Sequence, residues 1–233
     1  KYFAKHFKKG QQNIVVIGEP TQNEIHVAHR GVVRLRVGIY GKQCHSGRPS
    51  EGINALTLLG RFLVEVEEWN QRKQKLIQPI LPAPTVAATT ATGGIKDNVI
   101  PGYAEVVLDF RTVPGDTAEK LTEETDAVLK RIFEAENVSW TIEKYIDVAP
   151  GMTDTRAESV KIAQRAYGRL GWPEAEVTYF SACCDMSCFL AEGFDAILCG
   201  PGNLAQAHVA DEYIEKQQLE DAVDFYENYI LSM

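Results

Sequence analysis

Long apolar runs are absent from this 233-residue chain, and so is an excess of positive charge. No stretch approaches the roughly 20 consecutive apolar residues that a membrane-spanning helix requires. Lysine and arginine total 24 against 32 aspartate and glutamate residues, which gives a formal net charge of −8. Neutralising nucleic-acid phosphates takes a contiguous basic surface, and a solvated helix face explains the basic cluster Lys5–Lys9. We therefore expect neither a nucleic-acid nor a membrane partner.

Cysteine is also scarce, with five residues in the chain. An odd count does not suggest a disulfide framework, and no apolar segment of a signal peptide follows the basic first residues. Cys184 and Cys188 lack the second pair that a zinc–cysteine site needs, so we interpret them as small buried thiols. Together these features predict a reducing, cytoplasmic location.

Two hydrophobic patterns divide the chain. The stretch "IVVIGEPT", residues 14 to 21, is an uninterrupted apolar run, which is typical of a strand covered on both faces in a parallel α/β sheet. From 32 to 148 the strands alternate instead, and the order β-α-β-β-α-β is that of a two-layer, ferredoxin-like module. We therefore predict an α/β fold in which 1–31 and 149–233 form one partial domain and 32–148 an inserted α+β domain.

Helix signals fit this division. A helix starting near Asn54 is predicted to bury a stripe of apolar side chains, and Thr117 is predicted to cap a second helix. The predicted stripe consists of Leu56, Leu59, Phe62, Leu63 and Val66.

Glu19 is an unusual residue at the mouth of an apolar strand, because glutamate is rarely buried without a partner. A second apolar strand ends in "GPG" at 200–202, and the loop after it carries His208, then Asp211 and Glu212. Ligands bind outside the carboxyl ends of strands in open α/β sheets, and a carboxylate with an imidazole suits zinc. Asp211 or Glu212 would then orient the imidazole. The alternative is a histidine that only hydrogen-bonds a loop carbonyl.

The motifs "GEPT", "AHRG", "GKQCHSGRPSEGINAL", "GGIKDNVIPG" with "DFRTVPG", and "CGPGNLAQAHVADEY" resemble, in this order, the zinc-dependent aminoacylase/carboxypeptidase family, the M20-type metallopeptidases. The last motif looks most like that of acetylornithine deacetylases. The resemblance implies a zinc-exopeptidase-like α/β/α domain with an inserted dimerisation domain. It also implies a metal-dependent hydrolase of amide bonds that acts as a homodimer on an N-acyl amino acid or small peptide. Its cofactor would be zinc, as one or two ions, for which cobalt or manganese could substitute.

The same resemblance assigns roles to individual residues. Glu19 matches a carboxylate ligand of one metal, and His208 matches the histidine ligand of the other. His45 matches a histidine on the inserted domain that reaches into the partner subunit's active site and stabilises the oxyanion. The resemblance also implies dimerisation through the inserted domain, for which we predict pairing of the strand Val33–Ile39 across a two-fold axis.

Substrate-binding roles follow in the same way. Asn98 matches a polar residue that also acts across the dimer, and Arg111 matches an arginine that grips a substrate carboxylate. Gly200 belongs to the loop that shapes the substrate pocket. Asp185 lies where relatives carry a similar acid, although the residue before it, Cys184, departs from their threonine or serine.

Structural interpretations stand beside these assignments. His45 would then only cap its loop, Asn98 would only hold a left-handed turn, and Arg111 would be an outward charge paired with Glu105 or Asp109.

Part of the expected ligand set is absent from these 233 residues. Relatives carry a His-x-Asp pair, a bridging aspartate and a Glu-Glu pair before "GEPT", and here no acid precedes Glu19. Because zinc takes about three protein ligands, we expect this chain by itself to be inactive and to be the C-terminal portion of an enzyme. The alternative is a non-catalytic dimerisation or ligand-binding protein derived from the same scaffold.

Overall fold

The computed structural model describes residues 2–6 and 13–233, so Lys8 and Lys9 of the basic cluster lie outside the described residues. The helices are α1 (Tyr2–His6), α2 (Ala55–Lys73), α3 (Ala118–Phe133), α4 (Glu158–Leu170), α5 (Met186–Ala191) and α6 (Lys216–Ile230). The strands are β1 (Ile14–Ile17), β2 (Ile25–His29), β3 (Gly31–Tyr40), β4 (Cys44–His45), β5 (Thr85–Gly93), β6 (Val99–Ile100), β7 (Tyr103–Thr112), β8 (Ser139–Val148), β9 (Gly151–Met152), β10 (Val177–Phe180) and β11 (Asp195–Leu198). None of the helices in these residues combines the length and apolarity needed to traverse a bilayer.

The chain folds as two compact units. The first unit runs up to Arg30 and continues in Pro79–Leu81 and Pro150–Met233. The second unit consists of Gly31–Gln78 and Pro82–Ala149. The short segment Pro79–Leu81 lies within the stretch 32–148 that sequence patterning assigns to the inserted domain, and its Ile80 packs in the core of the first unit instead.

The first unit is a sheet with helices on both faces. Its strands lie in the order β1-β11-β2-β10, and β9 adds to β2. One apolar cluster joins residues of α4 and α6 to Ile25, Val27 and Ile197, while a second cluster joins Met186 of α5 to Leu198. Because adjacent residues of a strand point to opposite faces, the two clusters cover both sides of β11. This three-layer α/β/α arrangement confirms the predicted fold class.

The sheet of the first unit is mixed, not wholly parallel as the apolar run in β1 suggests. β1 and β11 are parallel, as are β2 and β10, but β11 meets β2 in an antiparallel bridge and β9 pairs antiparallel with β2. Burial on both faces produces the same apolar pattern in either strand direction, so the pattern could not report the direction.

The second unit has the predicted β-α-β-β-α-β order. Its strands lie in the order β5-β7-β3-β8, every pair antiparallel, with α2 and α3 packed on one face. The side chain of Asn54 accepts hydrogen bonds from the backbone of Leu56 and Thr57 at the start of α2, and the hydroxyl of Thr117 accepts one from Lys120 at the start of α3. Both caps satisfy amides that would otherwise lack a partner.

The predicted stripe of α2 is wrong at Leu56, whose exposed fraction is 43 %. The buried side of the helix carries Leu58, Leu59, Phe62, Val66 and Trp69. More than one apolar stripe with three- and four-residue spacing fits this leucine-rich helix. Packing on the sheet buries the stripe that does not include Leu56.

Pairing of the strand Val33–Ile39 across a two-fold axis is also wrong. This segment lies in β3, which is hydrogen-bonded to β7 on one side and to β8 on the other. The edges of the sheet are β5 and β8, and a strand with both neighbours in place has no free backbone groups for a partner chain.

Candidate active site

Glu19 and Gly200 leave the sheet of the first unit at the same edge. β1 and β11 are parallel neighbours with Ile17 opposite Leu198, so the residues after both strands emerge side by side. A Cβ atom on Gly200 would lie 2.7 Å from the carbonyl oxygen of Glu19 and 2.8 Å from the carbonyl carbon of Gly18. Contacts this short leave no room for a side chain, so glycine at position 200 permits the two strand ends to touch.

The turn after Glu19 is fastened to the loop after β11 by backbone hydrogen bonds. The amide of Thr21 donates to the carbonyl of Gly200 at 3.2 Å, and the amide of Asn23 donates to the same oxygen at 2.8 Å. Thr21 also forms an isolated bridge with Asn203. Two segments about 180 residues apart in the chain are therefore held together, as the sequence predicts for a shared site at this edge.

Asp185 lies beside Glu19. The half-buried carboxyl of Glu19 has a raised pKa, first because burial disfavours its charged form and second because the charge of Asp185 repels it. Burial likewise raises the pKa of the Cys184 thiol to about 12, with Glu19 and Asp185 among the nearby charges. The structure thus brings together Glu19 and Asp185 in an electrostatically unfavourable pair, which a bound cation would relieve.

His208 occupies a strained position in the loop that follows β11. Its φ angle is +65°, in the left-handed region that costs a non-glycine residue about 1–2 kcal/mol. Its backbone N–H donates to the carboxylate of Glu212 at 3.1 Å. Glu212 therefore fixes the backbone of His208, while orientation of the imidazole by Asp211 or Glu212 stays a prediction. Strain retained at an exposed loop residue points to a functional constraint on its placement.

A cavity of about 270 Å³ opens between these two loops of the first unit. Pro20 lines it from the turn after β1, and Pro201, Ala207 and Glu212 line it from the loop after β11. The cavity thus borders the residues next to Glu19 and next to His208, and it is large enough for a small amino-acid derivative.

The donor chemistry of this region fits a divalent metal only in part. A half-buried carboxylate beside a second carboxylate is a suitable oxygen donor. Within residues 2–6 and 13–233, however, no three histidine, cysteine, aspartate or glutamate side chains come together as a metal-binding group. Since zinc takes about three protein ligands, these residues supply part of a metal centre and not a complete one.

His45 and Asn98 are brought together in the second unit by two short strands that the sequence did not indicate. β4 pairs with β6 so that His45 lies opposite Val99, and the amide of Ser46 donates to the carbonyl of Asn98 at 3.0 Å. Asn98 does not take the left-handed turn conformation that its structural interpretation requires, since Gln22, Asn23 and His208 are the non-glycine residues of positive φ in the described chain.

The ring of His45 accepts a hydrogen bond from the backbone N–H of Gly47 on its Nδ1 atom, at 3.0 Å. A neutral imidazole whose Nδ1 accepts carries its proton on Nε2. Since His45 is exposed, this Nε2–H group is available as a hydrogen-bond donor.

Arg111 forms an ion pair with Asp109, as its structural interpretation proposes. Its Nε donates to Oδ1 of Asp109 at 2.8 Å, while Nε of Arg34 donates to Oδ2 at 2.7 Å. Asp109 is one of the two partners considered for Arg111 from the sequence, whereas Arg34 is not expected in this group. A spacing of two residues in "DFR" places Asp109 and Arg111 on one face of a strand, whereas Arg34 comes from a neighbouring strand whose register the sequence does not show.

Comparison with known proteins identifies a domain and a group of relatives. Residues 27–137 match the family profile of the M20 peptidase dimerisation domain. A peptidase M20 domain-containing protein of Schizosaccharomyces pombe is 26 % identical over 221 residues, which are 94 % of this chain and 48 % of that protein. The acetylornithine deacetylase of Pectobacterium atrosepticum is 30 % identical over 225 residues, which cover 91 % of this chain and 55 % of the enzyme.

Residues 27–137 thus form a peptidase dimerisation domain of the M20 type, and nearly the whole chain is similar to M20 peptidases and acetylornithine deacetylases. Its fold agrees with that of a dinuclear metal-binding M20 peptidase of Bacillus subtilis, with a TM-score of 0.69 at 15 % identity over 93 % of this chain and 55 % of that structure. The chain spans about half the length of the curated M20 relatives it matches. Its second unit contains most of the residues matched by the dimerisation-domain profile.

Proposed function

We propose that this chain forms part of a metal-dependent M20 hydrolase that cleaves the amide bond of an N-acyl amino acid, as acetylornithine deacetylases do, or of a small peptide. The observation that carries the proposal is the half-buried Glu19 carboxylate, held beside Asp185 at the strand edge where the loop to His208 begins. Two neighbouring carboxylates without a counter-ion lower the stability of the folded protein. A bound cation would offset that cost, so the pair fits one part of a cation-binding site.

Glu19 and His208 would act as ligands of zinc, present as one or two ions, with cobalt or manganese as substitutes. The remaining ligands would come from outside these 233 residues, so that this chain alone would be inactive. A metal ion in such a site supplies an activated water and polarises the amide carbonyl. The first unit would then be the catalytic portion of the enzyme.

His45 would donate a hydrogen bond from Nε2–H to the oxyanion that forms when the amide carbonyl is attacked. Its support is the acceptor role of Nδ1, which leaves the proton of the neutral ring on Nε2. Asn98, held next to His45 by β4 and β6, would contribute a second polar contact. Following the family resemblance, both side chains would serve the active site of the partner subunit.

Arg111 would bind the α-carboxylate of the substrate, because a guanidinium group offers paired donors to a carboxylate. Gly200 and Asp185 would contribute to the substrate pocket, Gly200 by keeping the two strand ends in contact and Asp185 by its charge near Glu19.

The homodimer would form through β5 and the exposed side of α2. β5 is an edge strand whose nine residues, "TVAATTATG", include no charge and are mostly exposed. Next to it, Leu56, Gly60 and Val64 of α2 are exposed at four-residue spacing. Proteins usually protect an exposed edge with charges, so an uncharged edge beside apolar helix residues favours a second copy of this chain as partner.

The proposed activity is tested with the full-length protein from which this chain derives. We expect it to hydrolyse N-acetyl amino acids, to lose that activity on treatment with a metal chelator, and to recover it with added zinc. A metal-free full-length protein that binds N-acetyl amino acids without cleaving them would instead support the alternative, a non-catalytic ligand-binding protein on the M20 scaffold.

The proposed dimer face is tested by Val64→Lys. Val64 is 63 % exposed on α2, and we expect the lysine to weaken dimerisation by roughly tenfold or more because it places a charge at a buried apolar contact. Val223→Lys is a matched control, since Val223 is 61 % exposed on α6 of the first unit. Sedimentation velocity at several concentrations measures both variants. Equal dimer affinity for the two variants would place the interface elsewhere.

A further inference from the structure

Asp109 is a buried carboxylate on the sheet face opposite to α2 and α3. Its exposed fraction is 7 %, although it belongs to the polar side of β7. Arg34 lies directly across from it on β3, and Arg111 lies two residues along the same strand. Each carboxylate oxygen is occupied by a different guanidinium group, Oδ2 by Arg34 and Oδ1 by Arg111.

Both arginines donate to Asp109 through Nε. In Arg111 the side chain is 39 % exposed, and its Nε bond to Asp109 is its one side-chain hydrogen bond in the described part of the chain. A planar guanidinium that is held by Nε keeps both Nη groups available as a fork of fixed direction. That fork matches the two oxygens of a carboxylate.

A purely stabilising role explains this arrangement poorly. Burying a carboxylate costs several kcal/mol, and apolar residues in place of a buried ion pair often give equal or greater stability. The neighbouring carboxylate on the same strand, Glu105, pairs with Arg36 at 3.4 Å while its side chain remains 29 % exposed. This face of the sheet therefore accommodates an acid–arginine pair that stays partly exposed. Charge pairing does not require the deeper burial of Asp109, and the consequence of that burial is to fix the direction of Arg111.

We propose that Asp109 is a positioning residue that holds Arg111 by its Nε so that the two Nη groups bind the carboxylate of the substrate. Arg34 secures the second oxygen of Asp109 and so prevents the carboxyl group from rotating away. This inference rests on the proposed function, in which Arg111 binds the substrate carboxylate, and adds to it the residues that orient Arg111.

The test uses the full-length protein and two substrates, an N-acetyl amino acid and its α-carboxamide. We expect Asp109→Asn to raise KM for the carboxylate substrate by about 10- to 100-fold with kcat changed less than about twofold, because it weakens binding common to ground and transition states. KM of the Asp109→Asn variant for the carboxamide substrate is expected to equal that of the wild-type protein. Glu105→Gln, on the same face of the same strand, is the matched control and is expected to leave both KM values unchanged.

A double-mutant cycle separates positioning from simple structural support. In an Arg111→Ala background, Asp109→Asn is expected to have an effect of less than about twofold, since Asp109 acts through Arg111. Additive effects, or equal losses with both substrates, would overturn the inference. Wild-type protein that cleaves neither substrate would overturn the proposed function, and this inference with it, so the two failures are distinguishable.

A second variant covers the case in which Asp109→Asn does not fold. Arg111→Lys keeps the charge but lacks separate Nε and Nη donors, so we expect it to raise KM for the carboxylate substrate nearly as much as Arg111→Ala. A KM within about threefold of wild type in Arg111→Lys would show that a fixed fork is not required, and would contradict the inference.

Discussion

Glu19→Gln is expected to lower hydrolysis of an N-acetyl amino acid by the full-length protein more than about 100-fold, and to reduce its bound metal. Loss of a group that merely supports a metal ligand already costs about 10- to 100-fold, so replacing a ligand itself should cost more. Glutamine keeps the size of the side chain but offers a neutral oxygen, which a divalent cation binds more weakly.

The same change is expected to leave the metal-free protein as stable as before, or more stable. Because burial and Asp185 raise the pKa of Glu19, the folded state disfavours the charged carboxylate relative to the unfolded state, and a neutral amide removes that penalty. Thermal unfolding of the metal-free variant measures this. A variant that loses activity by unfolding would show a lower Tm instead.

Glu24→Gln is the matched control for Glu19→Gln. Glu24 lies five residues after Glu19 in the chain, and its largely exposed side chain contacts His26. We therefore expect Glu24→Gln to leave metal content and activity unchanged. If Glu19→Gln retained full metal content by elemental analysis and normal turnover, Glu19 would not be a ligand and the proposed site would be wrong.

His45→Ala is the second large expected effect, a fall in kcat of about 10²- to 10³-fold, the usual loss when one oxyanion donor is removed. The dimer should persist, because His45 belongs to β4, which is not part of the proposed dimer face on β5 and α2. His6→Ala, which removes an exposed histidine from α1, serves as control. Normal turnover by a dimeric His45→Ala protein would remove the oxyanion role.

Mixing the two inactive variants tests whether His45 acts across the dimer. A heterodimer of Glu19→Gln and His45→Ala subunits contains one site with both native residues only if His45 serves the partner's site. After subunit exchange we expect activity to return to about a quarter of the wild-type value, as the statistics of a two-fold symmetric dimer require. No recovery despite confirmed exchange would place His45 in the site of its own subunit.

Several features of this protein could be predicted from local sequence. The alternation in Val33–Ile39, the helix caps at Asn54 and Thr117, and the β-α-β-β-α-β order depend on neighbouring residues and repeat periods, which the sequence displays directly. The same holds for the apolar strand that precedes Glu19. The family resemblance carried the candidate residues Glu19, His45 and His208 beyond what spacing alone could support.

Tertiary structure decided which residues meet. The strand directions in the first unit, the central place of β3, the short β4–β6 pair that joins His45 to Asn98, and the neighbours of Glu19 and Arg111 all depend on contacts between distant segments. The sequence pattern indicates whether a side chain prefers burial, but it does not identify the residues against which that side chain packs. The pairing of Asp185 with Glu19 and of Asp109 with Arg34 therefore emerged only once the chain was folded, since charge energies depend on distance in space and not along the sequence.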